Sequence, residues 1–222
     1  MQPSKIILLT LLSASGAYSD VIFSNFGSTP PGYDTVDVGF APDRSQICFM
    51  PGACFIQTNE FAVGFSIPTG STFEFTGFEV PLNFLSNGIT NVDFTLAEAD
   101  ATGRPGPPLE TITVDGVATS SVVYTGNSVL HPILTSGNYW LEAAIASGDF
   151  GEAGWNFANA ANDLGPVSGM SGPFGPGGWS FPGPEVQAAF EIDGIAVPEP
   201  SAIGLMGCVL GICVLWRRTR SS

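Results

Sequence analysis

Basic residues are nearly absent from the body of this 222-residue chain. All 20 acidic residues lie between Asp20 and Glu199, where Arg44 and Arg104 are the only cations, so that region carries a formal charge of 2 − 20 = −18. Proteins that bind nucleic acid rely on lysine and arginine to neutralise phosphates. The charge therefore argues against nucleic acid as a partner and indicates a soluble, acidic module.

Histidine is scarce as well, because His131 is the only one in the chain. A histidine metal cluster is excluded on this count, and a serine or cysteine triad has one candidate base. No Gly-x-Ser-x-Gly elbow accompanies it. Since Pro132 follows His131, we interpret this histidine as a turn or surface residue. We expect no metal site, no cofactor and no enzymatic activity.

A glycosidase needs only two carboxylates, so the acidic surplus leaves that class open. Glu191 and Asp193 resemble part of the Glu-x-Asp-x-x-Glu motif of jelly-roll glucanases, but Ala196 stands where the third acid belongs. The acid/base partner is therefore missing. We expect Glu191 and Asp193 on the solvent face of a strand whose core face carries Phe190 and Ile192.

Calcium would need clustered oxygens, for which two pairs of acids are candidates. One pair is Asp34 with Asp37, and the other is Glu98 with Asp100 beside Gly103. Neither reproduces an EF-hand loop or a calcium-binding nonapeptide repeat. We interpret both pairs as solvated surface acids.

Amphipathic helices are missing from the central region, whereas glycine (28 residues), proline (18) and phenylalanine (17) are abundant. This composition is typical of many short strands joined by turns. We predict one all-β domain over residues 20–196, folded as a β-sandwich, with a jelly roll as one form of it.

The period of the apolar residues marks the strands, most clearly over residues 91–97. Phenylalanines upstream change phase at Gly77, where a β-bulge would restore the inward face. Asn87-Gly88 predicts a hairpin over residues 72–97. Further strands are predicted at residues 21–26, 35–40, 60–67, 109–114, 117–124, 138–146, 154–158 and 186–197.

Four aromatic residues could stack on sugar rings, as amphipathic rings do at binding sites. They are Tyr139, Trp140, Trp155 and Trp179. Of the adjacent Tyr139 and Trp140, one ring should face inward in a strand. Trp179 lies in a loop rich in glycine and proline, so it is the candidate for contact with a glycan.

Both ends of the chain carry the features of targeting signals. Lys5, an apolar run and then small residues indicate a secretory signal peptide over residues 1–19, with a cut after Ala17 as the alternative to Ser19. At the other end, residues 202–216 form an uncharged apolar run followed by Arg217, Arg218 and Arg220. We predict a short transmembrane helix with the arginines in the cytoplasm and the domain outside.

Export favours a disulfide between Cys48 and Cys54, since both lie in the exported region and Pro51-Gly52 supplies the turn between them. Neither a zinc nor a thioredoxin motif matches their spacing. Cys208 and Cys213 lie in the apolar run, and we interpret them as small apolar residues, with lipidation as the alternative.

Pro198-Glu199-Pro200 stands directly before the apolar run. This triplet, the run and the arginine cluster together resemble the PEP-CTERM sorting signal of Gram-negative bacteria, over residues 197–222. The resemblance implies export, cleavage near the motif by a membrane protease-transpeptidase called exosortase, and association with extracellular polysaccharide or biofilm. An ordinary tail anchor behind a proline-rich linker is the alternative.

The central layout resembles a choice-of-anchor domain, a secreted β module found with interchangeable C-terminal anchors. The resemblance rests on Leu96-Ala97-Glu98, Gly103-Arg-Pro-Gly106, Asn138-Tyr-Trp-Leu141, Trp155, Trp179 and Phe190-Glu191-Ile192. It carries no catalytic residues across.

Three functions are therefore open. The first is an exported envelope or matrix protein with a structural or adhesive role, whose precursor contacts the inner membrane and an exosortase and whose mature form lies at the cell envelope or outside the cell. The second is a carbohydrate-binding module for exopolysaccharide. The third is a degraded or atypical glycan hydrolase acting through Glu191.

Overall fold

The computed structural model describes residues 19–27, 32–40, 46–50, 53–56, 60–86, 89–158, 167–170 and 187–197. Among these residues the regular elements are all β-strands, and no helix is present. The strands are β1 (Asp20–Ser24), β2 (Tyr33–Phe40), β3 (Gln46–Met50), β4 (Ala53–Ile56), β5 (Glu60–Ile67), β6 (Phe73–Phe84), β7 (Thr90–Ala99), β8 (Pro105–Val117), β9 (Val122–Asn127), β10 (Ile133–Leu134), β11 (Gly137–Ile145), β12 (Ala153–Ala158), β13 (Val167–Met170) and β14 (Glu191–Ala196).

Two antiparallel sheets hold all strands except β3 and β4, an arrangement consistent with a β-sandwich. The first sheet has the order β1-β14-β6-β12-β2, and β9 and β10 also pair with β6. The second sheet has the order β13-β5-β11-β7-β8. The predicted all-β class is confirmed for the described residues, while the jelly roll stays a prediction.

The core lies between the sheets and is rich in aromatic rings. Phe94 of β7 contacts Phe78 of β6, with ring centroids 4.9 Å apart, and Trp155 of β12, at 5.2 Å. All three side chains are at most 1% exposed. Because successive side chains of a strand point to opposite faces, the alternation read from the sequence delivers these rings to one interior.

The bulge predicted at Gly77 is present. Successive residues of β14 pair with Gly77 and then with Phe75, so Thr76 is an extra residue on β6. Phe75 and Phe78 consequently both face the core, at 0% and 1% exposure. A strand without the bulge would have turned one of the two rings to solvent.

The hairpin predicted over residues 72–97 is wrong. β6 pairs with β9, β10, β12 and β14, whereas β7 pairs with β8 and β11 in the other sheet. Both strands have an apolar face, and these faces pack against each other across the core instead of the backbones pairing. Asn87-Gly88 itself lies outside the described residues.

Other boundaries differ from the prediction as well. The predicted strand over residues 117–124 is divided, because β8 continues to Val117 and β9 begins at Val122. Four short strands, β3, β4, β10 and β13, were not predicted. Too few residues lie in each of them for a clear apolar period.

The hairpin of β3 and β4 sets Cys48 directly opposite Cys54. This register favours the predicted bridge, since opposite residues of an antiparallel pair are close neighbours. No disulfide is seen within the described part of the chain. The bridge therefore stays a prediction.

The two chain ends of the domain meet at one pole. β1 begins beside the end of β14, with Asp20 paired to Gly194, and β14 ends beside Phe73 at the start of β6. We call this end the terminal pole. The opposite end, where Phe84 closes β6, is called the distal pole.

Several predicted features lie outside the described residues. They are the signal peptide before Ser19, the segment 202–216, Trp179, and the sorting residues Pro198, Glu199, Pro200, Arg217, Arg218 and Arg220. Within the described ranges, no helix is long and apolar enough to cross a membrane.

Replacing Gly126 with alanine should destabilise the domain by about 2 kcal/mol, because overpacking a closed core forces neighbours to move. A Cβ atom at Gly126 would lie 2.2 Å from Cζ of the buried Phe78 ring. Gly137→Ala is the matched control, since its nearest neighbour would lie at an ordinary 3.8 Å. Urea unfolding measures both, and equal midpoints for the two variants would contradict the prediction.

Candidate functional site

A groove of about 580 Å³ lies between β8 and β9. These strands follow one another in the chain but belong to opposite sheets. Among the described residues, β8 pairs only with β7 and β9 only with β6. Consecutive residues, 110–113 of β8 and 125–127 of β9, line the groove, so its walls are strand edges that carry main-chain donors and acceptors.

The side chains along the groove are neutral hydrogen-bonding groups and aliphatic groups, apart from Glu110. The neutral polar residues of the lining are Thr111, Thr113, Thr125 and Asn127, and the aliphatic ones are Ile112, Val129 and Leu130. The hydroxyls of Thr111 and Thr113 are already bonded to Thr95 and Asp93 of β7. No lysine or arginine is among the lining residues. The lining therefore suits a neutral ligand better than an anion.

Glu110 closes the groove by reaching from one sheet to the other. It lies opposite the core residue Leu96 and is only 5% exposed. Its carboxylate accepts hydrogen bonds from Ser128 Oγ at 2.6 Å, Val129 N at 2.7 Å and Leu130 N at 3.0 Å. Three donors from the edge of the first sheet thus hold a carboxylate from the edge of the second.

The ionisation of Glu110 follows from these contacts. Burial alone would raise the pKa of Glu110, but the hydrogen bonds from Ser128, Val129 and Leu130 outweigh it, and His131 acts in the same direction as the bonds. The pKa of Glu110 is therefore lower than the ordinary 4.5. An acid whose pKa is lower in the folded state than in the unfolded state stabilises the fold at any pH above its unfolded-state pKa. That stability is lost as the pH falls through the folded-state pKa.

The loop from Ser128 to Pro132 is fixed at several other points. Ser128 N donates to Thr76 O at 2.8 Å, and Phe75 N donates to Pro132 O at 3.0 Å. His131 has a left-handed φ of 49°, which is unfavourable for a residue with a side chain. Because His131 is exposed within this turn, its interpretation as a turn or surface residue is confirmed.

This anchored loop leaves two apolar side chains in solvent at the mouth of the groove. Val129 is 80% exposed and Leu130 is 68% exposed. The loop conformation is therefore stabilised by the buried carboxylate and by the hydrogen bonds of Ser128 and Pro132 to β6, and not by burial of Val129 and Leu130.

The acids Glu191 and Asp193 lie on the outer face of the first sheet, as predicted. Phe190 and Ile192 are fully buried on the other face. Glu79 stands directly opposite Glu191, and burial, then Glu191, then Glu79 raise the pKa of Asp193 to about 6. These carboxylates form an acidic row on the sheet surface.

The two pairs of acids considered for calcium are used in other ways. Asp100 Oδ1 accepts bonds from Thr102 N, Thr102 Oγ1 and Arg104 N and so closes its own loop. Asp37 accepts a bond from Asn83 Nδ2 at 3.0 Å. Within the described part, no group of three histidine, cysteine or acidic residues is arranged to hold a metal ion.

Three of the aromatic residues considered for sugar stacking are buried. Trp155, Tyr139 and Trp140 are 0%, 3% and 4% exposed. Tyr139 and Trp155 belong to the core, so these rings are not accessible to a glycan. Trp179, the candidate contact, lies outside the described residues.

Replacing Glu142 with glutamine should stabilise the domain at pH 8 by about 2 kcal/mol. Burial, and secondarily Glu60, raises the pKa of Glu142 to about 7. The unfolded chain ionises near 4.5, so the fold loses stability as the pH rises from 4.5 to 7 and no further above it. The variant should match the wild type at pH 4.

Thermal unfolding at pH 4 and pH 8 measures this effect, and Glu98→Gln, at an exposed site, serves as the control. A Glu142→Gln variant that is no more stable than the wild type at pH 8 would show that Glu142 ionises freely in the fold.

Comparison with known proteins gives no assignment: no protein-family model matches the chain, and no curated protein matches it significantly.

Proposed function

We propose that this chain is an exported, non-enzymatic protein of the cell envelope or extracellular matrix, with a structural or adhesive role. The observation that carries the proposal is the meeting of both chain ends at the terminal pole. A tail leaving there would hold the module by one end, so the groove and the distal pole would be free for contacts. The strong negative charge would keep the exported module soluble.

The ends of the chain complete the proposal. The signal peptide, residues 1–19, directs export, and the tail, residues 197–222, acts as a PEP-CTERM-like sorting signal. Its Pro198-Glu199-Pro200 motif precedes a short membrane helix, residues 202–216. Arg217, Arg218 and Arg220 remain in the cytoplasm, an exosortase cuts near the motif, and Cys48 and Cys54 form a disulfide in the exported form.

The fold in full is a β-sandwich of jelly-roll type. Support comes from the way consecutive strands alternate between the two sheets, as from β6 to β7 and from β8 to β9. Such crossings between sheets distinguish this topology from a simple meander.

Protease treatment of spheroplasts that contain the full chain tests the export. Protease added outside should remove the module while a cytoplasmic marker survives, and thiol alkylation before reduction should leave Cys48 and Cys54 unmodified. If the module resisted the protease to the same extent as the cytoplasmic marker, export would be contradicted. Free thiols at both cysteines in an exported module would contradict the disulfide alone.

Carbohydrate binding is the second candidate, and the groove favours it. Hydroxyl and amide groups beside aliphatic patches can bind the hydroxyls and the apolar faces of a neutral sugar chain. Retardation of the purified domain in gels that contain neutral or acidic exopolysaccharide measures such binding. Asn127→Ala with Thr125→Val should abolish the retardation, and Thr119→Val, at an exposed site outside the groove, should not. Equal retardation of all three proteins would exclude the groove.

Glycan hydrolysis is the least supported of the three hypotheses. The acidic row lies on an open sheet face, and the groove contains one acid, Glu110, whose oxygens are occupied by three donors. Equal hydrolysis by the wild type and Glu191→Gln would remove Glu191 from any such activity.

A further inference from the structure

Three exposed apolar residues lie at the distal pole, on the loops that follow β6 and β11. Leu85, Ile89 and Phe150 are 43%, 71% and 80% exposed, and we call them the distal patch. Isolated exposed apolar residues are common, but a group of them on neighbouring loops marks an interaction surface.

The loops that carry the distal patch are tied to one another. Leu85 N donates to Glu152 O at 2.8 Å, and Asn91 N donates to the Asp149 carboxylate at 2.8 Å. Ala146 N donates to Asn91 O at 2.9 Å. These hydrogen bonds therefore fix the backbone beside the three exposed side chains.

Two glycines on either side of Phe150 reinforce that arrangement. Gly148 and Gly151 have left-handed φ values of 95° and 101°, which only glycine adopts readily. A Cβ atom at Gly151 would also lie 2.5 Å from Cζ of Phe84. The chain is thus held in a conformation that keeps a phenylalanine ring in water.

The charged residues around the patch determine which kind of partner can bind to it. Asp149 and Glu152 lie on the loop of Phe150, and Asp115 lies near the distal end of β8. Arg104, which is the one lysine or arginine in the described part, lies at the terminal pole beside the start of β8. A second copy of this chain would bring acid against acid, and an anionic lipid surface would be repelled likewise. A partner with basic residues around an apolar centre would be attracted.

We propose that the distal patch binds a protein partner that has an apolar centre and a rim of lysine and arginine. The proposal rests on the adhesive role proposed above and gives that role its partner chemistry. Such an interface would place Phe150 at its centre, where aromatic side chains contribute most, and the surrounding acids would set the rate and the salt dependence of association.

The test uses the purified domain and a helical amphipathic peptide of leucine and lysine, with fluorescence anisotropy as the readout. A scrambled isomer and a leucine–glutamate peptide serve as comparison probes. Phe150→Ser should weaken binding of the lysine peptide about tenfold. Ile133→Ser, which removes an apolar side chain of 52% exposure outside the groove and away from the patch, should leave it unchanged.

The expected result also includes weaker binding in 0.5 M salt and for Asp115→Asn, and little binding of either comparison probe. Equal affinity of Phe150→Ser and wild type would overturn the proposal. The proposal would also be overturned if the wild type self-associated or bound phosphatidylcholine vesicles and Phe150→Ser abolished that binding. Either result would mean that the patch binds a second copy or a lipid surface. All of these measurements are independent of export and sorting, so their failure would leave the proposed localisation standing.

Discussion

Replacing Trp155 with alanine should lower the free energy of unfolding by about 4 kcal/mol, the upper part of the range for core residues. Trp155 is fully buried, and its ring contacts Phe61, Phe94 and Phe190, with centroids 5.8, 5.2 and 6.4 Å away. These rings come from both sheets, so alanine would leave a cavity in the layer that joins them. Urea unfolding of the purified domain measures the loss.

Trp155→Phe separates the cavity from the hydrogen bond. The indole Nε1 donates to Ala189 O at 2.8 Å, and a phenylalanine ring would leave that carbonyl without this donor at a cost of about 1–2 kcal/mol. We therefore expect the phenylalanine variant to lie between the alanine variant and the wild type. An alanine variant that loses less than about 1 kcal/mol would show that the two sheets do not share this core.

Replacing Glu110 with alanine should cost about 3 kcal/mol at pH 7, because three donors would lose a charged acceptor. Part of this loss of stability is recovered when the amides of Val129 and Leu130 form hydrogen bonds with water. Hydrogen exchange at these two amides should accelerate in the variant, since the loop loses its anchor. The difference from the wild type should shrink as the pH falls below 4.5, because protonated Glu110 holds the loop less well.

Two further variants identify the cause. Glu110→Gln retains one carbonyl acceptor and should lose about half as much stability as Glu110→Ala. Glu98→Ala removes an exposed glutamate of the neighbouring strand and should change stability by less than about 0.5 kcal/mol. Equal losses for Glu98→Ala and Glu110→Ala would contradict the role of the buried carboxylate.

The sequence predicts the strands well where each has one apolar and one polar face. β7 is the clearest case, since Val92, Phe94 and Leu96 are all at most 1% exposed. The bulge at Gly77 could also be predicted, because a change of phase within one strand requires an extra residue. These features depend only on neighbours in the chain.

Features that depend on distant neighbours could not be predicted. The pairing of β6 is one, since an apolar face does not say whether the next strand pairs beside it or packs across the core. Glu110 is another such feature. It alternates with the same period as the inward-facing Ile112 and Val114, and this period was the only sign in the sequence that its side chain points inward. Its acceptor role depends on the Ser128–Leu130 loop of the other sheet, which no local pattern reveals.

The predicted end signals and the described fold are compatible with one account of the molecule. The described β module has its first and last strands at one pole, a groove between two strand edges on its side, and the distal patch at the other end. Sorting by the tail would fix the domain at the terminal pole. The groove and the distal patch would then be the surfaces that face other molecules of the envelope.

The most direct test of the proposed sorting is the intact mass of the native protein from its own host, compared with a strain that lacks exosortase. The account predicts a mass without residues 1 to about 19 and without the segment after Pro200, and retention of the tail in the strain without the protease. A protein in the membrane fraction that keeps Arg217 to Ser222 in both strains would mean a plain tail anchor and would contradict the account.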